Sequence, residues 1–140
     1  MLGGYNSAAY RSVEYWSPEA TCRLPDLSRD MIDAPSVNFI QDTAVACYKE
    51  SCDKLQEGAW VKMADTRQDR YRHTSELIKD SLLLIGGSFS PTTTELVTVN
   101  GQSVEGFSLD PGREIHCSVK ISEGTVVTIG GYGTESLVMK

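Results

Sequence analysis

Four apolar residues, Leu82-Leu83-Leu84-Ile85, run straight into the pair Gly86-Gly87. An apolar run this short, stopped by two glycines, reads as a strand buried on both faces. A helix would need more length and a polar face, and would not end on two residues of poor helix propensity. The same device returns in Thr125-Val126-Val127-Thr128-Ile129-Gly130-Gly131, and Met1-Leu2-Gly3-Gly4-Tyr5 opens the chain on a remnant of it.

The spacing of these segments is regular. Gly86 and Gly130 are 44 residues apart, and the only histidines, His73 and His116, are 43 apart. Stepping 40 residues back from Gly86 reaches Ala46-Cys47, and 43 more reach Gly3. Each unit divides into strand-like pieces. The second has Ser36–Ile40, Thr43–Cys47, Ser51–Leu55 and Trp60–Met63; the third has His73–Ile78, Leu82–Gly87, Thr93–Val99 and Val104–Leu109. Asn100-Gly101 is a strong hairpin signal within the third. About four short strands per unit, at a period of forty-odd residues, describe the blade of a β-propeller.

With these residues the chain resembles the kelch repeats of the galactose oxidase/kelch superfamily. The carriers are Gly86-Gly87 with Glu95, Gly130-Gly131 with Glu135, Gly3-Gly4 with Glu14-Tyr15, and Trp60. Ala46-Cys47 departs from the glycine pair, and Cys22 stands where the motif expects Trp. The resemblance implies an all-β fold of kelch-type blades, each of four antiparallel strands. Complete blades are expected at 35–72 and 73–112, with blade remnants at 1–34 and 113–140, an incomplete ring of about three blades. Such a chain is expected to be a fragment of a larger propeller and to self-associate through open blade edges.

The glycine pairs lack a phosphate-loop pattern and precede no helix, so Gly3, Gly4, Gly86, Gly87, Gly130 and Gly131 are read as structural, together with Trp60. Trp16, Trp60 and Phe107 read as packing between blades. His73 and His116 fall at one phase of successive units, which points to a hydrogen bond anchoring each inner strand rather than to a metal site. Cys47 and Cys52 sit across a strand-loop-strand reversal, which favours a disulfide and, through it, an extracellular compartment.

No cofactor is expected, and the resemblance implies a non-enzymatic protein-interaction module. The alternative is a remnant of a secreted galactose oxidase-like copper enzyme, for which tyrosines and cysteines supply only the residue types. A net charge of −6 argues against nucleic acid, and no run reaches the roughly 20 apolar residues of a membrane helix. The partner is expected on the face reached by the second-to-third-strand loops and the inter-blade loops. Those loops collect Tyr5, Tyr10, Arg11, Tyr48, Phe89, Arg67, Arg70, Tyr71 and Arg72, an Arg/Tyr set suited to a partner bearing carboxylates. Arg70 and Arg72 are placed nearest the contact.

Overall fold

A computed structural model describes the backbone of residues 2–5, 9–27, 35–132 and 137–139, and the side chains of 11–14, 17–27 and 35–132. The described residues form thirteen strands in four antiparallel sheets and no helix. The first sheet is β1 (Leu2–Tyr5), β2 (Ala9–Trp16) and β3 (Thr21–Leu24); the second is β4 (Ser36–Ile40), β5 (Thr43–Gln56) and β6 (Ala59–Arg70). The third is β7 (Thr74–Ile78), β8 (Ser81–Ile85), β9 (Thr93–Thr98) and β10 (Ser103–Ser108). The fourth is β11 (Cys117–Ser122), β12 (Thr125–Ile129) and β13 (Leu137–Met139). Every sheet is a meander in chain order, and none closes on itself.

β8 is the strand that the apolar run predicts. Leu82 and Leu84 join a core with Ile40, Val45, Cys47, Cys52 and Ala64 of the second sheet. Leu83 and Ile85 point the other way, into a core with Val126 of the fourth. Alternate side chains of one strand thus glue the third sheet to both neighbours. A third core, Val13, Leu27, Ala46, Tyr48 and Trp60, joins the first sheet to the second. The sheets therefore stack face to face along the chain. Their leading strands β4, β7 and β11 run side by side. Asn38 Nδ2 donates to Ser75 O at 2.9 Å, and Ser118 Oγ to Glu76 Oε1 at 2.7 Å, tying these strands through side chains.

β5 holds a reversal that its single hydrogen-bonded span conceals. Its first part, Thr43 to Cys47, pairs with β4, and its second, from Lys49, pairs with β6. Cys47 and Cys52 form a disulfide with their Cα atoms 4.0 Å apart. Five extended residues would span about 17 Å, so the chain turns back between them, helped by Lys49 at φ 55°. The second sheet is three-stranded, in the order β4-β5-β6, with β5 doubling back at the disulfide. Both cysteines are buried, whereas Cys22 and Cys117 are exposed thiols. Alkylation without reduction should label only Cys22 and Cys117, and a non-reducing peptide map should recover one linked peptide carrying both Cys47 and Cys52.

Turn chemistry sits largely as the sequence predicts. Asn100-Gly101 closes the β9–β10 hairpin, with Gly101 at φ 82° and Thr98 N donating to Gln102 O at 2.9 Å. Two expectations differ. Gly3 and Gly4 lie inside β1 rather than after it, Gly4 pairing with Tyr10. Phe107 is exposed on the edge strand β10 instead of packing between sheets, whereas Trp60 is buried with its indole donating to Pro25 O at 3.0 Å. The Trp16 side chain lies outside the described residues.

Candidate functional site

Each of the third and fourth sheets is entered through an Arg-x-x-His segment, Arg70 to His73 and Arg113 to His116. The two segments share a set of matching hydrogen bonds. His73 Nε2 is 2.8 Å from Ser36 Oγ at the start of β4, and His116 Nε2 is 2.8 Å from Thr74 Oγ1 at the start of β7. Arg70 donates to Gly86 O at 3.0 Å and Arg113 to Gly130 O at 3.2 Å. Ser88 N donates to Tyr71 O at 2.8 Å, and Tyr132 N to Glu114 O at 2.9 Å. Arg72 and Ile115 hold matching left-handed conformations at φ 55° and 52°. Both histidines thus anchor the leading strand of the preceding sheet, as their common phase predicts.

The glycine pairs explain how the segments come so close. A Cβ on Gly87 would lie 2.6 Å from Tyr71 O and 2.9 Å from His73 Cβ. On Gly131 it would lie 2.8 Å from Glu114 O and 3.0 Å from His116 Cβ. Their φ values, 101° and 102°, are open to glycine alone among common residues. In the second sheet Ala46-Cys47 takes this place, packed with Leu27 and bridged to Cys52, so apolar contact and a disulfide replace the close approach.

Arg70 is not a surface residue. It is 1% exposed and pairs with Glu95, also 1% exposed, at 3.4 Å. Its guanidinium also donates to Thr93 O at 3.0 Å and Thr93 Oγ1 at 2.9 Å. Glu95 accepts from Arg67 N at 2.6 Å and from the Ser103 hydroxyl. Burial pulls the Arg70 guanidinium below its ordinary pKa, with Glu95 opposing. Arg70 therefore locks the segment 66–70 onto the third sheet, and the expectation that it stands near a partner contact is corrected. The charge run in which it sits gives no sign of a partner 25 residues away.

The histidines respond to the same burial. Burial first, then the charge of Arg70 and that of His116, push His73 down to about 3; burial and Arg113 push His116 down to about 4. An unfolded histidine titrates near 6.5, so between pH 6.5 and 3 the unfolded chain binds protons that the fold refuses. Stability is full above that window and falls as pH drops through it. Between pH 7 and 5, above most carboxylate titration, His73 alone should remove roughly 2 kcal/mol, and His116 a similar amount. Urea midpoints at the two pH values check this, and a His73→Asn variant should flatten the slope.

The remaining members of the expected partner-binding set divide by exposure. Tyr48 is buried, and its ring meets Tyr71 edge-on at 5.1 Å; Tyr71, half-buried, meets Phe89 at 5.4 Å. Phe89 is 78% exposed. Three rings thus step from core to solvent. Arg67 is exposed, and Arg72 is half-exposed 3.9 Å from Glu114. Arg11 is exposed while its Nε donates to Leu27 O at 2.9 Å. The Tyr5 and Tyr10 side chains lie outside the described residues. Sequence reading passed over Ile115 and Tyr132, both exposed on the same strip. Ile115 N bonds Arg72 O at 3.1 Å, Tyr132 N bonds Glu114 O, and the Ser88 hydroxyl bonds Glu114, so Phe89, Arg72, Ile115 and Tyr132 are connected through Tyr71, Ser88 and Glu114. The repeat was the signal available: both residues sit at fixed offsets from a glycine pair or a histidine.

At the entry of the leading strands lies an open groove of about 340 Å³, lined by Ser36, His73, Thr74, Glu76, His116 and Cys117 among others. Among the described residues no three His, Cys, Asp or Glu side chains are grouped to hold a metal ion. No described helix is long and apolar enough to cross a membrane. Compared with protein-family models and with curated protein sequences, the chain matches none.

Proposed function

We propose that the chain is a non-enzymatic protein-interaction module built from kelch-type repeats, part of a larger propeller. It takes its partner on the face of the loops at 48–51, 66–73, 86–92 and 110–116. The observation that carries this reading is the aromatic stair Tyr48–Tyr71–Phe89, which ends in a bare ring. Phe89 holds φ 69°, a conformation that costs a bulky residue of order 1–3 kcal/mol and is kept where surroundings and function demand it. A rigid aromatic backed by buried rings suits a binding anchor, because little side-chain freedom remains to lose. The repeated sheets and the buried Glu95, in the place of the motif's acidic residue, support the kelch reading. The disulfide supports an extracellular setting.

The partner's chemistry follows from the strip. An apolar or aromatic side chain meets Phe89, Ile115 and Tyr132, with a carboxylate for Arg67 or Arg72. No observation favours the copper-enzyme alternative, since both imidazole Nε2 atoms face hydroxyls in separate sheets.

Selection of displayed peptides on the immobilised full chain tests the reading. Enriched peptides should carry an aromatic beside acidic residues, and Phe89→Ser should weaken them about thirtyfold, equivalent to roughly 2 kcal/mol. Peptides that bind Phe89→Ser and wild type equally would place the contact elsewhere.

A further inference from the structure

The three leading strands differ at one repeated position. Ser36 of β4 and Thr74 of β7 each meet a histidine Nε2, and two residues further on stand Asn38 and Glu76. β11 follows His116 as β7 follows His73, so Val119 holds that position in the fourth sheet. An amide, a carboxylate and an apolar side chain all serve there, so the architecture itself needs no charge. Asn38 is satisfied at both ends, its Nδ2 donating to Ser75 O at 2.9 Å and its Oδ1 accepting from Phe39 N at 3.2 Å. Glu76 is left with one oxygen unmatched. Its Oε1 accepts from Ser118 Oγ at 2.7 Å. Among the described residues Oε2 takes no hydrogen bond, and no arginine or lysine pairs with the carboxylate.

That carboxylate lies half-buried in the groove of about 340 Å³ at the entry of the leading strands. A carboxylate partly withdrawn from water without a countercharge favours a cation that neutralises it. The rest of the lining suits one kind of cation. Burial keeps the two imidazoles in the groove neutral at pH 7, so they do not repel it. Hydroxyls of Ser36, Thr74, Ser75 and Ser118 line the groove with lone pairs to accept. Val37, exposed, adds an apolar wall for a hydrocarbon stem. A guanidinium fork would want both carboxylate oxygens, and Ser118 already engages one. A metal ion would want three or more strong ligands together, and none are so grouped among the described residues. A primary ammonium, a compact charge with three donors, matches one open carboxylate oxygen and neighbouring hydroxyls.

We propose that this groove is a binding site for a primary ammonium group on an aliphatic stem, with Glu76 as its counter-ion. The stem belongs either to a free alkylamine or diamine, or to a lysine side chain of a docking segment. The site is separate from the aromatic strip and does not depend on the partner proposed there.

Amide chemical shifts of the full chain at pH 7 test it. n-Pentylamine, protonated at that pH, should shift the Thr74, Glu76 and Ser118 amides saturably, with a Kd of about 1–10 mM. 1-Pentanol, an uncharged analogue, should bind the same protein at least about tenfold more weakly, which reads the charge without any substitution. Glu76→Gln keeps an acceptor for Ser118 and removes the charge, and should weaken n-pentylamine at least about tenfold. Phe89→Ser should leave n-pentylamine binding unchanged. Two further probes name the source. Nα-acetyl-lysine methylamide binding as tightly as n-pentylamine assigns the site to a lysine side chain; cadaverine binding while the lysine probe is excluded assigns it to a free amine. Shifts that stay linear to about 50 mM, or equal binding to wild type and Glu76→Gln, would overturn the proposal. Loss of binding in Phe89→Ser would place the ammonium on the aromatic strip and overturn its assignment to the groove.

Discussion

Replacing Arg70 with methionine is expected to cost about 3–5 kcal/mol, one of the largest effects of any side-chain substitution in this chain. The loss is not mainly that of an attraction. Arg70→Met leaves the Glu95 carboxylate buried without its countercharge, and strips donors from the Gly86 and Thr93 carbonyls. Arg70→Met with Glu95→Leu should recover more than half of the loss, because two apolar groups of similar volume leave no charge uncompensated. Urea unfolding at constant m-value reads both variants. A loss under about 1 kcal/mol for the single variant would mean that the guanidinium has access to water. Of the arginines expected to face an acidic partner, Arg70 is buried, and Arg67, Arg72 and Arg11 lie outside the core.

The second large effect is expected at Gly86. Gly86→Ala and Gly130→Ala impose nearly the same backbone penalty, of order 1–2 kcal/mol, since both positions are left-handed. They differ in what the methyl group meets. At Gly86 it strikes a backbone carbonyl of the next entry segment, which cannot move without shifting that segment; at Gly130 it meets no atom of the described residues within 4 Å. Gly86→Ala should therefore cost at least about 2 kcal/mol more than Gly130→Ala in parallel denaturation curves. Equal costs would show that the third and fourth sheets pack less tightly than described.

Much of this architecture was legible from local chemistry. Leu82-Leu83-Leu84-Ile85 has no polar face, so burial on both sides was the only strand that it could be. His73 and His116 share a phase, so a common structural task followed before their hydroxyl partners were known. Cys47 and Cys52 are too close in sequence to bridge without a reversal, which is what β5 contains. What escaped depended on distance along the chain. Nothing near Arg70 announces Glu95, and a run of alternating charges looks the same whether solvated or folded inward. The exposure of Ile115 and Tyr132 was hidden for a related reason: apolar residues beside a repeat's histidine or glycine pair read as core until the opposing sheet is placed.

The central claim is that successive sheets are joined by one repeated junction, and hydrogen exchange measures it most directly. Four loop amides donate across the Arg-x-x-His segments: Gly87 to Arg113 O, Ser88 to Tyr71 O, Ile115 to Arg72 O and Tyr132 to Glu114 O. They lie outside the strands, so sheet formation alone does not protect them. All four should exchange at least about a hundredfold more slowly than exposed turn amides such as those at Gly58 and Gly124, with Ser88 and Tyr132 protected alike. If β8 and β12 are protected while these four amides exchange at turn rates, the sheets fold but the repeated junction between them does not exist.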